Sequence, residues 1–296
     1  MQLNLKFPRR DFLKLMAVTT AHLASLSIGG AVYGTNIEPV WLDIETVTLQ
    51  LPRLHPAFDG FRITQISDIH MGGWMDKERF GRVIDLVKGT RPDLIVITGD
   101  FIESTSDWVH DSQSVRDVQA VLSLLNFAPV MAVLGNHDYD SHMNLYLRSV
   151  FSVLKFIDLT NEVHTLVRGE GQLHFAGVDD ILLGFPDLPA VLAKHPGSGA
   201  AILLVHEPDF ADTSSMTGSF DLQISGHSHG GQVVLPVIGP PALPKQGKKY
   251  INGLYHIGSM LQYTNRGVGM TAPYIRFNCR PEITVFTLKA QKSEEP

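Results

Sequence analysis

Five short runs of aliphatic residues in this chain each end in side chains that bind metal ions or move protons. The runs span 61–67, 93–98, 129–134, 201–205 and 221–225, and their lengths are those of strands. The polar side chains that follow them are Asp68, His70, Asp100, Asn136, His206, His227 and His229. Because ligands bind at the carboxyl ends of strands in α/β sheets, we expect these side chains to converge on one site.

The donor types indicate which chemistry that site performs. Carboxylate, imidazole and amide groups together suit ions such as Mn, Fe or Zn. Residues two apart in an extended segment face the same side, so Asp68 with His70, and His227 with His229, are expected to reach one metal cluster. A carboxylate such as Asp100 can bridge two cations. Paired ions clamp both oxygens of an in-line displacement at phosphorus, so the pattern predicts phosphoester hydrolysis.

Each of these side chains also has an ordinary structural explanation when it is taken alone. A single Asp or His after a strand is more often a turn or capping residue than a ligand, and Gly99-Asp100 could simply shape a turn. That explanation requires five independent turns that all happen to use metal-binding side chains. The joint arrangement therefore favours a metal site.

The elements that position these side chains alternate as in an α/β fold with layered sheets. Helices are predicted over 76–88, 114–125 and 142–155, and in the first of them apolar residues from Phe80 to Val87 recur at helical spacing. After Gly230 the chain changes to short strands and Pro/Gly turns, ending near 283–288. No repeat or long linker divides residues 41–290, which are predicted to form one catalytic domain before a solvated tail at 291–296.

Composition argues against several other classes of protein. The single cysteine, Cys279, excludes an internal disulfide framework and an all-sulfur metal site, whereas 13 histidines suit nitrogen and oxygen ligation. The net charge is −6 at pH 7, and the first 34 residues are basic, so the body is more acidic than the whole. An acidic body argues against general affinity for nucleic acid, and no nucleic-acid partner is expected.

Residues 1–34 are interpreted as an export signal or membrane anchor. The run Arg9-Arg10-Asp11-Phe12-Leu13-Lys14 resembles the twin-arginine export signal of bacteria, and the uncharged, mostly apolar stretch 15–33 follows it. A membrane helix needs about 20 predominantly apolar residues, so both release and tethering stay open. We expect recognition by the twin-arginine export machinery and a periplasmic or other extracytoplasmic location, with membrane association through this segment as the open alternative.

The ordered motifs resemble one known family. Similarity to the calcineurin-like metallophosphoesterases rests on Asp68-x-His70, Gly99-Asp100, Gly135-Asn136-His137-Asp138, His206 and Gly226-His227-x-His229. The match covers about residues 61–230, and similarity to exported bacterial members of phosphodiesterase type extends over nearly the whole body. The resemblance implies a four-layer α/β/β/α sandwich with two central mixed β-sheets.

The resemblance also implies a role for each site residue. It assigns two metal ions to the ligands: one held by Asp68, His70 and His229, the other by Asn136, His206 and His227, with Asp100 as the bridge. His137 would donate a proton or hydrogen bond to the leaving group, with Asp138 orienting it, and an imidazole of near-neutral pKa suits that duty. Attack on phosphorus would come from a metal-bound hydroxide, because coordination lowers the pKa of water toward ~7.

Three alternatives compete with a general phosphodiesterase acting on small-molecule or lipid phosphoesters. A pyrophosphohydrolase of a sugar-nucleotide lipid precursor, of the UDP-diacylglucosamine type, is favoured if the chain is tethered to a membrane and an apolar groove adjoins the metals. The candidate groove residues are Phe185, Pro186, Leu188, Leu235 and Ile238. A non-catalytic metal-binding scaffold conflicts with the complete ligand set. A metallo-β-lactamase-type zinc hydrolase is rejected, because Gly230-Gly231 stands where that type has Asp-His.

Several other polar residues carry no assigned role: Asp179, Asp180, Lys245, Lys248, Lys249, Arg266 and Arg276. The two aspartates follow a strand-like run and suit a turn at least as well as catalysis. The basic residues are candidates for a second phosphate or a head group, although each one taken alone is more often a solvated side chain.

Overall fold

The aliphatic runs form strands in the structure of the chain, a computed structural model that describes residue 16 and residues 29–103 and 112–291. The strands are β1 (Asp43–Leu51), β2 (Arg62–Ile66), β3 (Leu94–Thr98), β4 (Val130–Val133), β5 (Ile157–Asp158), β6 (Glu162–Arg168), β7 (Gly171–Gly177), β8 (Ala200–Leu204), β9 (Leu222–Ser225), β10 (Gly253–Ile257), β11 (Met260–Thr264) and β12 (Glu282–Ala290). The α-helices are α1 (Lys77–Gly89), α2 (Ser112–Leu122), α3 (Asn136–Asp140), α4 (Asn144–Leu154), α5 (Leu188–Lys194) and α6 (Ala211–Ser214).

Most of the predicted leader, 1–34, and of the predicted tail, 291–296, lies outside the described residues. Within the described part, none of the helices combines the length and apolar character that a membrane crossing requires. A π-helical turn, Tyr33–Ile37, and a 3₁₀ turn, Glu38–Val40, lead into β1.

The described strands pair into two six-stranded mixed sheets. In the first sheet, of order β1-β12-β2-β3-β4-β5, strands β2 to β5 are parallel and β12 runs antiparallel to β2. In the second sheet, of order β10-β11-β9-β8-β7-β6, the four middle strands are parallel and both edge strands are antiparallel. The parallel strands of each sheet therefore end at the same edge.

Both faces of the central strands are buried, which explains their continuous apolar sequences. Leu94 and Val96 of β3 pack between the sheets with Ile202 of β8. Ile95 and Ile97, which alternate with them, pack outward against α1, α2 and α4. Helices α5 and α6 contribute to the core on the outer face of the second sheet. The predicted four-layer α/β/β/α sandwich is confirmed.

Local sequence explains where the first long helix begins. The Asp76 carboxylate accepts a hydrogen bond of 2.8 Å from the backbone N–H of Arg79, which satisfies one of the free donors of the first turn. Phe80 and Val87 lie on the buried face, as their spacing predicts. The three predicted helices are present with shifted ends, whereas the short helix α3, which begins at Asn136 directly after β4, was not predicted.

Removal of one aromatic ring between the sheets tests this core. Phe286 of β12 is fully buried and lies edge-on to Tyr263 of β11, with ring centroids 5.0 Å apart. Phe286→Ala should lower the free energy of unfolding by about 3–5 kcal/mol, measured by urea denaturation, because it leaves a cavity between the sheets. Phe185, which is 81% exposed, supplies the control: Phe185→Ala should change stability by less than about 0.5 kcal/mol. Equal losses would contradict this packing.

Candidate metal centre

The polar strand ends of the two sheets meet at one edge of the sandwich. Strands β2, β3 and β4 of the first sheet lead into Asp68, His70, Asp100 and Asn136, and strands β8 and β9 of the second lead into His206, His227 and His229. Their ligand atoms form overlapping groups, each within 4.8 Å: Asp68 with His70 and His229, His70 with Asp100 and His137, and Asp100 with His206 and His227. These groups contain six of the seven predicted ligands, and the seventh, Asn136, follows β4 at the same edge.

Asp100 lies at the centre of this cluster. Its Oδ2 is 3.1 Å from Nε2 of His206 and 3.6 Å from Nε2 of His70, which belong to different groups. Its Oδ1 accepts a hydrogen bond of 2.9 Å from the backbone N–H of His137. One carboxylate oxygen therefore faces both sides of the cluster while the other is held by the backbone.

Lone pairs converge on either side of Asp100. Nε2 of His70 lies 3.1 Å from Nε2 of His229, and Nδ1 of His227 lies 3.2 Å from Nε2 of His206. Two ring nitrogens this close have room for one proton between them at most, so each pair either shares a proton or directs two lone pairs at a common cation. Among the described residues, the buried Oδ1 of Asn136 has no hydrogen-bond partner. This mixture of imidazole, carboxylate and amide donors fits cations.

Two of the imidazoles donate hydrogen bonds to backbone carbonyls through the ring nitrogen that faces away from the cluster. Nδ1 of His206 donates to the carbonyl oxygen of Thr98 at 2.6 Å, and Nε2 of His227 donates to that of Lys245 at 2.8 Å. Each bond fixes the tautomer and the ring plane, so the opposite nitrogen is directed into the cluster.

The backbone of the cluster is unusual. Several non-glycine residues lie in the left-handed region: Asp68 at φ 52°, His70 at 51°, Asp100 at 55°, His227 at 70° and His229 at 52°. Such residues cost on the order of 1 kcal/mol each and are typical of functional sites. The prediction that extended chain brings residues two apart to the same side is therefore wrong, because these pairs converge through left-handed turns. Gly226 allows the backbone before His227 to lie close to Asp68, since a Cβ at position 226 would collide with the Asp68 carboxylate.

Two histidines are held neutral by their surroundings. Burial and repulsion from His206 lower the pKa of His227 to about 4, and burial and repulsion from His70 lower the pKa of His229 well below its usual range. Neutral imidazole is the form that ligates metals. For His206, burial lowers the pKa but the neighbouring Asp100 outweighs it, so the pKa is raised well above the usual value.

Asp138 ties two loops of the site together. Its carboxylate is fully buried and accepts hydrogen bonds from the backbone N–H groups of Asp100, Phe101, Ile102 and Gly135. Burial and the charge of Asp100 raise the pKa of Asp138 to about 7, although the backbone hydrogen bonds from Gly135 and Ile102 lower it. A different carboxylate, that of Glu103, lies beside the His137 ring, with its Oε1 3.9 Å from Nδ1. The orienting role expected of Asp138 toward His137 stays a prediction.

Glu103 is a site residue that is not among those predicted from the sequence. It is buried, and its Oε2 lies 3.1 Å from Nδ1 of His70, the nitrogen that faces away from the cluster. Although burial lowers the pKa of His70, this contact helps to raise it above the usual value. The sequence around Glu103 has no pattern that marks it as a site residue. Its contact with His70 arises because β2, which precedes His70, pairs with β3, which precedes Glu103.

Neutralising Glu103 should weaken metal binding. A carboxylate behind a ligating imidazole raises its basicity and fixes its ring, so we expect Glu103→Gln to lower metal affinity about 10- to 100-fold in a metal titration. Glu162→Gln is the matched control, because Glu162 is exposed on β6 and pairs with Lys194 at 2.7 Å. A Glu103→Gln variant with unchanged metal affinity would show that His70 needs no support from this carboxylate.

A cavity of about 450 Å³ opens beside the cluster. Its polar end is formed by Asp100, Asn136, His137, His227 and His229, and its apolar wall by Val233, Pro241, Ala242, Leu243, Pro244, Ala272 and Pro273. The groove residues predicted from sequence were wrong, because none of them lines this cavity; Phe185 is 81% and Ile238 is 77% exposed. The proline-rich segment 240–244 is the sequence feature that indicates this apolar wall.

The unassigned residues mostly have structural contacts. Asp180 Oδ1 accepts three backbone N–H bonds within its own turn, and Asp179 accepts the Tyr139 hydroxyl hydrogen bond at 2.7 Å. Arg266 pairs with Glu282, and the fully buried Arg276 donates to backbone carbonyls. The two arginines are therefore not phosphate ligands. Exposed lysines follow the apolar wall: Lys245, Lys248 and Lys249, the last paired with Asp212 at 2.6 Å.

The fold and this set of side chains define a metallophosphoesterase. Residues 61–231 match the model of the calcineurin-like phosphoesterase family, and the chain belongs to that family. It is accordingly a metal-dependent hydrolase of phosphoric esters, and its His/Asp cluster is suited to metal ions. The resemblance inferred from the motifs is confirmed.

Two curated relatives match almost end to end. The chain is 38% identical over 290 residues to the Bacillus subtilis protein named uncharacterized metallophosphoesterase YkuE, covering 96% of this chain and 99% of that protein. It is 29% identical over 283 residues to phosphodiesterase YaeI of Escherichia coli, covering 95% and 98%. Among solved structures it is similar to TT1561 of Thermus thermophilus, with a TM-score of 0.48 and 13% identity over 70% of this chain and 90% of that one.

Proposed function

We propose that this chain is a phosphodiesterase with a dinuclear metal centre. Asp68, His70 and His229 would hold one ion, Asn136, His206 and His227 the other, with Asp100 between them. The observation that supports this is the overlap of donor groups, since the Asp100 Oδ2 atom lies within 3.1 Å of His206 and 3.6 Å of His70. Two adjacent ions share one carboxylate in this way, and Mn, Fe and Zn all suit the donor set.

The side chains of the site have separate duties in this proposal. When bound, the ions would supply Lewis acidity and an activated water as the nucleophile. His137 is half-buried at the polar end of the cavity, and its backbone is held by Asp100, so its ring can give a proton to the leaving oxygen. The apolar wall would exclude water and receive the alcohol portion of the substrate.

A second candidate function is favoured by that wall. Its apolar side chains begin directly beside the metal cluster, as expected for a substrate whose phosphate carries a lipid. A pyrophosphohydrolase acting on a sugar-nucleotide lipid precursor would use the same ligands, with the diphosphate at the ions and acyl chains along the wall.

The test is hydrolysis of bis-p-nitrophenyl phosphate by the full chain, with bound metal measured on the same sample. We expect turnover that is lost on chelation, returns with Mn²⁺, and rises to a maximum at two ions per chain. Two bound ions without turnover, together with cleavage of a lipid-linked diphosphate in detergent, would establish the second candidate. Absence of bound metal and of turnover would refute both candidates.

We further propose export by the twin-arginine route, on the basis of Arg9-Arg10 and the uncharged stretch that follows. Paired substitution, Arg9→Lys with Arg10→Lys, should retain the protein in the cytoplasm on fractionation of an expressing bacterium. Unchanged export of this variant would exclude the route.

A further inference from the structure

The residues that follow the metal ligands include an uncharged loop with an apolar tip. This 235–244 loop has the sequence Leu-Pro-Val-Ile-Gly-Pro-Pro-Ala-Leu-Pro. Two backbone hydrogen bonds between Leu235 and Gly239, of 3.0 and 2.8 Å, close its tip. Val237 is fully exposed and Ile238 is 77% exposed. Adjacent branched apolar side chains presented to water are typical of a surface that contacts an apolar partner.

The backbone of the tip holds these side chains outward. Val237 lies at φ 69°, in the left-handed region that a β-branched residue rarely occupies. Glycine or asparagine would fit this turn with less strain, so the turn is not explained by local conformational preference. An exposed valine kept in such a conformation indicates that its side chain has a use outside the folded domain.

The base of the loop belongs to the catalytic cavity. Pro241, Leu243 and Pro244 line the apolar wall, while Val237 and Ile238 lie beyond it at the surface. Whatever the tip contacts therefore lies at the mouth of the cavity that ends at the metal cluster.

The charges beside the loop match an anionic surface. Residues 235–249 include no acidic residue, and Lys245 and Lys248 are exposed immediately after the apolar segment. Apolar side chains flanked by exposed lysines suit a bilayer that contains anionic lipids, because the lysines meet head groups while the apolar tip enters the acyl boundary.

The chain also enters the domain beside the base of this loop. The Tyr33 ring lies edge-on to Phe277, with centroids 6.2 Å apart, and the carbonyl oxygen of Phe277 accepts a 2.8 Å hydrogen bond from the backbone N–H of Val234. In the sequence, the stretch 15–33 that leads to this point carries no charged residue. Tyr33, where the described chain enters the domain, therefore lies beside the base of the loop.

We infer that the 235–244 loop is a membrane-docking element that inserts Val237 and Ile238 into an anionic lipid surface and places the cavity mouth against it. A substrate embedded in the bilayer would then reach the metal cluster along the wall 241–244 without crossing water. This inference concerns the surface of the protein and holds for either candidate function.

The experiment uses the full chain as the Ile238→Cys variant labelled with a small fluorophore. The native Cys279 is only 3% exposed, so labelling falls on the introduced thiol. Vesicles contain phosphatidylglycerol and phosphatidylcholine with brominated acyl chains, which quench only fluorophores that enter the bilayer. We expect a roughly twofold or greater loss of fluorescence, since interfacial segments bury about 5–10 Å into the acyl boundary.

Met216→Cys is the matched control for label position. Met216 is 80% exposed in a short 3₁₀ turn outside the loop, and its label should keep its fluorescence. Combining Ile238→Cys with Lys245→Glu and Lys248→Glu should raise the vesicle concentration needed for quenching by roughly fivefold or more per lysine. Vesicles of phosphatidylcholine alone should quench the label less at equal lipid.

Three results would overturn the inference. Vesicle binding without quenching at position 238 would mean that another part of the chain makes the contact. Equal quenching at 216 and 238 would indicate nonspecific adsorption, and a fluorescence change that depends on protein concentration without lipid would indicate contact between two copies of the chain. Turnover of bis-p-nitrophenyl phosphate by the labelled Ile238→Cys variant without vesicles should match that of the unmodified chain, which separates these results from failure of the proposed function.

Discussion

Asp100→Asn should abolish turnover while leaving the protein folded. The Asp100 carboxylate faces imidazoles from both donor groups, so its loss removes a negative charge from between the two proposed ions. Ions at such a site supply several kcal/mol of transition-state stabilisation, and we expect a loss on the order of 10³-fold in kcat/KM. Metal analysis should at the same time show fewer than two ions per chain.

A second buried aspartate supplies the control for this variant. Asp221 is 7% exposed and pairs with Arg53 at 2.9 Å, away from the cluster. Asp221→Asn should lower stability but keep metal content and turnover. If Asp100→Asn retained both ions and lost less than about tenfold in rate, a shared carboxylate would have no place in the mechanism.

His137→Ala should reduce kcat without removing the metals. The ring lies at the polar end of the cavity, and its proposed duty is to give a proton to the leaving oxygen. General acid catalysis contributes about 10²- to 10⁴-fold, and most when the leaving group is a poor one. We therefore expect a large loss with an alkyl diester and a much smaller loss with bis-p-nitrophenyl phosphate, because nitrophenolate leaves without a proton.

The dependence on the leaving group distinguishes this role from ligation. Loss of a ligand would lower the rate for both substrates and reduce the metal content together. His256→Ala, at an exposed position of β10, should change neither rate. Equal losses with both diesters and intact metal content would reject proton donation and leave His137 a role in binding.

The sequence predicts the convergence of the donors because each strand and its ligands are contiguous. An aliphatic run that ends in Asp-x-His needs no distant information to be interpreted as a strand followed by ligands, and parallel pairing then brings the ends together. The alternation of elements predicts layered sheets, whereas the four-layer arrangement with two central sheets follows from the resemblance that the same motifs carry. The left-handed backbone at Asp68 and His70 could not be predicted, since local preference disfavours it and the packed surroundings impose it.

Long-range pairing accounts for what the sequence did not show. Strand β12, expected near 283–288, is found between β1 and β2 in the first sheet, a position set by pairing with residues more than 200 positions earlier in the chain. The contact of Glu103 with His70 depends on the adjacency of β2 and β3. The apolar wall of the cavity depends on how the loops 233–244 and 271–273 fold over the cluster. No local periodicity of the sequence indicates any of these three features.

The separation of the donors along the chain has a consequence for synthesis. His70 and His229, whose ring nitrogens lie 3.1 Å apart, are 159 positions apart in sequence. While the protein emerges from the ribosome, the two proposed donor sets are complete only after residues 227 and 229 have been made and the second sheet has joined the first. Under the proposed metal assignment, ion binding would follow the joining of the sheets and would selectively stabilise the finished state by mass action. An incomplete nascent chain would be catalytically silent, so hydrolysis begins only after assembly is complete.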